Sequence, residues 1–122
     1  MISAALAGLI QSLRSLWAVE LLLLLSRDPR RRWSIDDLVV ELRSSRSLVD
    51  GLLSRLHEIG LVERHNDDGA YRYRPSTPEL EALVVELAAL HAERPLAIAQ
   101  ELHGAPNEKL RAFSDAFKLK KD

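Results

Sequence analysis

The stretch Asp37–Val62, DLVVELRSSRSLVDGLLSRLHEIGLV, decides the fold. Its periodicity predicts two helices with a tight joint. Leu38, Val39 and Leu42 stand at helical spacing in a short first helix, which Ser44 and Ser45 interrupt. Ser45 is then suited to cap a second helix, because a serine hydroxyl accepts from a free amide of the first turn. Leu48, Val49, Leu52, Leu53, Leu56 and Ile59 give that second helix one broad apolar face. Gly60 stops it, as a residue free to turn left-handed does. Leu61-Val62-Glu63-Arg64 then starts a strand.

Outward from this stretch the local signals continue. Ser34-Ile35-Asp36-Asp37 is a serine followed three residues later by an acid, which predicts the start of the first helix. Downstream, Leu61–His65 and Tyr71–Arg74 read as two strands, with Asn66-Asp67-Asp68-Gly69 as the turn between them. Tyr71 and Tyr73 alternate with Arg72 and Arg74, so one face packs and the other is basic. Thr77-Pro78-Glu79 is a helix start with a capping residue and a proline in the first turn. Leu80, Leu83, Val84, Leu87 and Leu90 carry that helix to about Arg94, where Pro95 breaks it. Leu96, Ile98, Ala99 and Leu102 predict another short helix.

At the other end, Leu6, Leu9, Ile10, Leu13, Leu16, Trp17, Leu21 and Leu24 recur at helical spacing, and Leu21–Leu25 is apolar all round. Met1–Leu25 is read as one soluble helix and not a membrane span. Gln11, Arg14 and Glu20 lie inside it, and a charge at a span's centre costs roughly 2.5–3.5 kcal/mol. It also lacks the basic opening and small-residue cleavage site of a signal peptide. A helix greasy on every side must be covered on every side. The cover is either other helices of the same chain or a second subunit, and the second is favoured. Pro29 ends this region, and Arg30-Arg31-Arg32-Trp33 follows. Those arginines are either phosphate contacts or a solvated loop that favours the negative end of the preceding helix.

The helical pair, with Leu42 ending one helix, Ser45-Arg46-Ser47 opening the next and Arg55-Leu56-His57-Glu58-Ile59-Gly60-Leu61-Val62 closing it, resembles the helix-turn-helix of winged-helix transcriptional regulators of the MarR-like kind. The likeness continues through a wing and covers residues 16 to 75, about half the chain. It implies a mainly α fold with a small β wing: a winged helix-turn-helix with additional N- and C-terminal helices. Residues 1–104 are then one domain, with the helix-turn-helix at 35–60, the wing at 61–75 and C-terminal helices at 78–103. Residues 105–122 form a C-terminal amphipathic helix and basic tail, its Leu110, Phe113 and Phe117 on one side. That helix either packs back on the domain or docks on a protein partner. Arg30–Trp33 becomes a short first strand paired with the wing, Trp33 its anchor in the core. The resemblance also implies a cytoplasmic regulator that binds double-stranded DNA and dimerises through its N- and C-terminal helices.

Composition bounds the function. In 122 residues, 17 Lys and Arg against 18 Asp and Glu give a net charge of −1, so any basic footprint for nucleic acid must be local. There is no cysteine, which excludes disulfides and thiolate metal sites and fits the cytosol. Hydrophobic residues at 47% support a packed core, built from Leu, Val and Ala because aromatics are only 5%. His57, His65, His91 and His103 lack metal-ligand spacing, and the chain has neither a glycine-rich phosphate loop nor a nucleophile elbow. No catalytic residue, cofactor or metal is expected.

The expected DNA contacts are Arg43, Ser45, Arg46, Ser47, Asp50 and Arg55 at the second helix, and Arg72 and Arg74 on the wing, joined by Arg64. If the apolar residues face the core, the outer stripe of the second helix is Ser47, Asp50, Gly51, Ser54 and Glu58. That stripe has no cation. Asp50 repels phosphate and accepts only from an amino group such as cytosine N4. Arg43 and Ser44 replace the glycine and apolar residue often found in the turn of such proteins, and the wing tip is acidic. The alternative function is therefore a winged-helix protein-interaction module that no longer reads DNA, with Asp50, Glu58, Asp67 and Asp68 facing a basic partner.

Overall fold

A computed structural model describes residues 2–103. In chain order the elements are α1 (Ala4–Leu13), α2 (Leu16–Arg27), α3 (Ile35–Leu42), α4 (Arg46–Ile59), β1 (Val62–Arg64), β2 (Tyr71–Tyr73) and α5 (Pro78–Glu93). Residues 95–103 are helical again. The chain is mainly helical, with one small two-stranded antiparallel sheet. The helix expected within 105–122 lies outside the described residues.

The N-terminal region corrects the expectation of a single helix. α1 and α2 meet at an angle of 106°. Arg14 turns left-handed (φ 72°), with its N–H donating to the Ile10 carbonyl, and Ser15 restarts the helix by accepting from the Ala18 N–H at 3.1 Å. The bend turns both apolar faces into one core. Leu6, Leu9, Ile10 and Leu13 of α1 are buried with Leu21, Leu22, Leu23 and Leu25 of α2. The run that is apolar all round is therefore covered by the chain's own helices, and the surplus expected to need a second subunit there is absent. No described helix is long and apolar enough by itself to cross a membrane.

α3 starts at Ser34, whose Oγ accepts from the Asp37 N–H at 3.0 Å. It ends in a Schellman turn: Arg43 N–H donates to the Val40 carbonyl and Ser44 N–H to the Val39 carbonyl, with Arg43 left-handed at φ 52°. An arginine thus does what a glycine normally does, against a left-handed penalty of about 1–2 kcal/mol. Ser45 caps α4 by accepting from Leu48 N–H at 3.1 Å. α4 ends in a second Schellman turn at Gly60 (φ 95°). Glycine suits the turn on two counts: its φ is left-handed, and an added Cβ would stand 2.5 Å from Ser76 Oγ, which would have to swing aside.

That turn sets the chain into the hairpin. Val62 pairs with Tyr73, Glu63 with Arg72 and Arg64 with Tyr71. His65 N–H to Ala70 O (2.8 Å) and Arg74 N–H to Leu61 O (2.9 Å) carry the ladder one step further at each end. Trp33 bridges the free edge of β2, exchanging hydrogen bonds of 2.7 and 2.8 Å with Tyr71, and its side chain is buried. The expected first strand is therefore a single bridge, anchored in the core as expected. Thr77 caps α5, which sends Val84 and Leu87 into the core. Gln11 Nε2 donates to Glu101 Oε2 at 2.7 Å, tying 95–103 to α1.

Candidate nucleic-acid interface

α4 packs Val49, Leu52, Leu53 and Leu56 inward, so helical geometry leaves a polar face outside. Ser47, Asp50, Gly51, Ser54, His57 and Glu58 are all exposed. The stripe expected from periodicity is there, widened by His57, which lies seven residues after Asp50 and so shares its face. Nothing on this face is both large and apolar. Ser45 spends a lone pair of its hydroxyl on the cap and keeps its O–H as a donor.

The cations around this face are mostly engaged. Arg46 forms an ion pair with Asp36 of α3, with both side chains well exposed. Such a surface pair is worth at most about 1 kcal/mol and competes weakly with a phosphate. Arg72 Nη2 lies 2.8 Å from Glu63 Oε2, and Arg74 Nη1 lies 3.6 Å from Glu63 Oε1. One carboxylate between two guanidiniums leaves one positive charge uncompensated on the hairpin's outer face. His65 Nε2 also lies near that carboxylate, at 3.3 Å. Arg43 and Arg64 are exposed and enter no ion pair among the described residues.

Arg55 stands apart from the other expected contacts. It is half-buried on the flank of α4, and its Nη1 donates to the Leu13 carbonyl at 3.4 Å. It satisfies the open end of α1, where a cation is also favoured by the helix dipole. Arg55 thus joins α4 to α1, on a flank beside the face of Ser47, Asp50 and Ser54.

The hairpin tip is acidic but not bare. Arg32 Nη2 lies 2.9 Å from Asp67 Oδ1 and 3.1 Å from Asp68 Oδ1. The Ala70 N–H, donating to Asp68 Oδ1 at 3.0 Å, and the adjacent Arg32 hold the Asp68 carboxyl below the usual carboxylate range. Arg31 lies over the Trp33 ring, 3.5 Å from its centroid. Of the arginine run, Arg31 and Arg32 therefore both contact their own chain while remaining exposed. Two roles were missed from sequence: Arg32 as clamp of the tip, and Glu63 as shared partner of Arg72 and Arg74. The second was within reach, since counting outward from Asn66–Gly69 puts Glu63 opposite Arg72.

On the inner face of the hairpin, burial, and behind it the charge of Glu81, pushes the Tyr73 phenol up to about 12. Among the described residues no group of three or more His, Asp or Glu side chains is placed to hold a metal ion. The chain matches no protein-family model, no curated protein and no solved structure.

Proposed function

We propose that this chain is a winged helix-turn-helix DNA-binding transcriptional regulator, with α4 as the helix that enters the major groove. The observation that carries the reading is the outer face of α4: an uninterrupted row of exposed, short or polar side chains opposite a fully packed face. An α-helix with such a face fits the major groove. The Schellman joint before α4 and the hairpin after it, edged by Trp33, support the winged-helix reading. Arg43, Ser45, Arg46 and Ser47 then contact DNA at the start of α4, and Arg72 and Arg74 contact phosphate from the hairpin. Phosphate contacts set the register of such a module and base contacts set its sequence.

The test is fluorescence anisotropy on labelled genomic duplexes at low salt, including the chain's own promoter region. Arg46→Ala and Arg72→Ala each weaken binding, and each lowers the slope of log K against log salt by about 1. Wild-type protein that binds no duplex at low salt removes the proposal.

A second reading, a protein-interaction module, is favoured by one specific observation: Arg32, Arg46, Arg72 and Arg74 are all paired with carboxylates of the same chain. On that reading Asp50, Glu58, Asp67 and Asp68 face a basic partner, and the same titration shows no DNA binding.

A cytoplasmic homodimer completes the proposal. With Leu21–Leu25 covered internally, the large apolar side chains left exposed among the described residues are Leu16 and Trp17 of α2, Val40 of α3, Val85 of α5 and Leu96, at 47%, 43%, 76%, 64% and 75%. Those outside the helix-turn-helix, Leu16, Trp17, Val85 and Leu96, are the ones offered to a second copy. Light scattering that gives a monomer at the concentrations used for DNA binding removes the dimer.

A further inference from the structure

Asp50 and Gly51 sit together at the middle of α4, on the exposed face. Arg46, one helical turn earlier, pairs with Asp36 and not with Asp50. Among the described residues no ion pair or side-chain hydrogen bond engages the Asp50 carboxylate. An acidic side chain in the centre of a helix that meets a polyanion is unfavourable unless something on the partner donates to it.

Gly51 supplies an independent observation. It lies inside a helix, where glycine is the poorest residue after proline. Nothing in the fold requires it: a Cβ added there meets no atom within 4 Å, and its backbone is not in the left-handed region. The missing side chain does nothing for the packing of this chain. What it does is lower the profile of α4, and Ser47 and Ser54 on the same face are nearly as short. An aspartate has a short reach, so it touches a base edge only if the helix backbone lies deep in the groove. The residues around Asp50 are the ones that permit that depth.

The chemistry then selects the base. A carboxylate has acceptors only. In the major groove guanine presents the acceptors N7 and O6, and thymine presents the acceptor O4 beside its methyl group. Adenine places the acceptor N7 next to its amino donor. Cytosine offers an amino donor and no acceptor of its own. We propose that Asp50 is a specificity-determining residue that accepts from a cytosine N4 amino group, with Gly51 permitting the close approach. This rests on the reading of α4 as the DNA-entering helix.

The experiment is a selection from a randomised double-stranded DNA library at low salt, run with the wild-type chain, Asp50→Asn and Asp50→Ala, followed by anisotropy on the enriched duplexes. Asp50 is exposed, so these variants keep the fold, which circular dichroism checks. The wild-type motif contains a C·G pair preferred about 5- to 150-fold over the other pairs at that position. Asp50→Asn moves that position to A·T, because an asparagine amide pairs with adenine N6 and N7. Asp50→Ala loses the preference there: it binds the C·G duplex more weakly and the other duplexes more tightly, having lost the contact to cytosine and shed a charge that repels phosphate. Gly51→Leu weakens binding to every duplex with no loss of thermal stability. A wild-type motif that Asp50→Asn leaves unchanged overturns the assignment of Asp50 and leaves the DNA reading standing. A library that yields no binders at low salt overturns both.

Discussion

Glu63 stands directly across the hairpin from Arg72, its Oε2 2.8 Å from the Arg72 guanidinium, and the same carboxylate reaches Arg74 with its other oxygen. The acid therefore tunes the charge of the hairpin's outer face. Glu63→Gln keeps the shape and frees both arginines. It should raise affinity for any duplex several-fold and steepen the salt slope by about 1 for each arginine that gains a phosphate. The cost in stability should stay under about 1 kcal/mol, because all three side chains reach solvent. Unchanged affinity and salt slope would mean that the hairpin does not touch DNA.

Arg43 combines a backbone strain with a charge unpaired among the described residues. Arg43→Gly should relieve the left-handed penalty and stabilise the domain by up to about 1 kcal/mol, less whatever glycine adds to the entropy of the unfolded chain. If its guanidinium also meets phosphate, the same variant binds DNA more weakly and with a shallower salt slope. Thermal melts and anisotropy on one preparation read both effects, which here have opposite signs.

Trp33 holds the α2–α3 connection to the hairpin. Its ring is buried against the core, its backbone bridges Tyr71, and Arg31 covers one face of the indole. Trp33→Ala should cost about 3–5 kcal/mol and lower the melting temperature by more than about 10 °C. Trp33→Phe should recover most of that loss. A drop of only a few degrees for Trp33→Ala would contradict the anchoring role.

Alkaline pH should loosen the hairpin through Tyr73. Its phenol is held neutral up to about 12 in the fold, while an unfolded chain releases that proton near 10. The stabilisation is complete below about 10 and is lost as pH rises from there toward 12, because the folded chain then holds more protons than the unfolded one. Denaturation midpoints should fall across that window, and Tyr73→Phe should flatten the fall. A Tyr73→Phe variant with the same alkaline profile as wild type would contradict it.

Much of the helical layout was legible because single residues carry the boundaries. Ser34, Ser45 and Thr77 each cap where their position before an apolar run says they should, and Gly60 takes the left-handed turn that ends α4. The break at Arg14-Ser15 was not legible, because it uses neither glycine nor proline. Periodicity runs through it, and only the need to bury both apolar faces in one core bends the chain there. The same bend bears on Arg55. It lies on a flank of α4 whose neighbour is α1, and α1 reaches that flank only because of the bend. The outer face of α4 was legible throughout, since an inward apolar stripe determines its opposite. The partners of Arg32 and Arg46 were not: Asp67 and Asp68 are distant from Arg32 in sequence, and the Asp36–Arg46 pair depends on the angle at which α3 meets α4.

The most direct measurement is an amide chemical-shift titration of isotope-labelled protein with a duplex at low salt. Groove entry by α4 predicts changes concentrated at Ser45, Arg46, Ser47, Asp50, Gly51 and Ser54, with a second group at Arg72–Arg74, while α1 and α5 stay unmoved. Shifts centred on Val85 and Leu96, or none at all at saturating duplex, would contradict it.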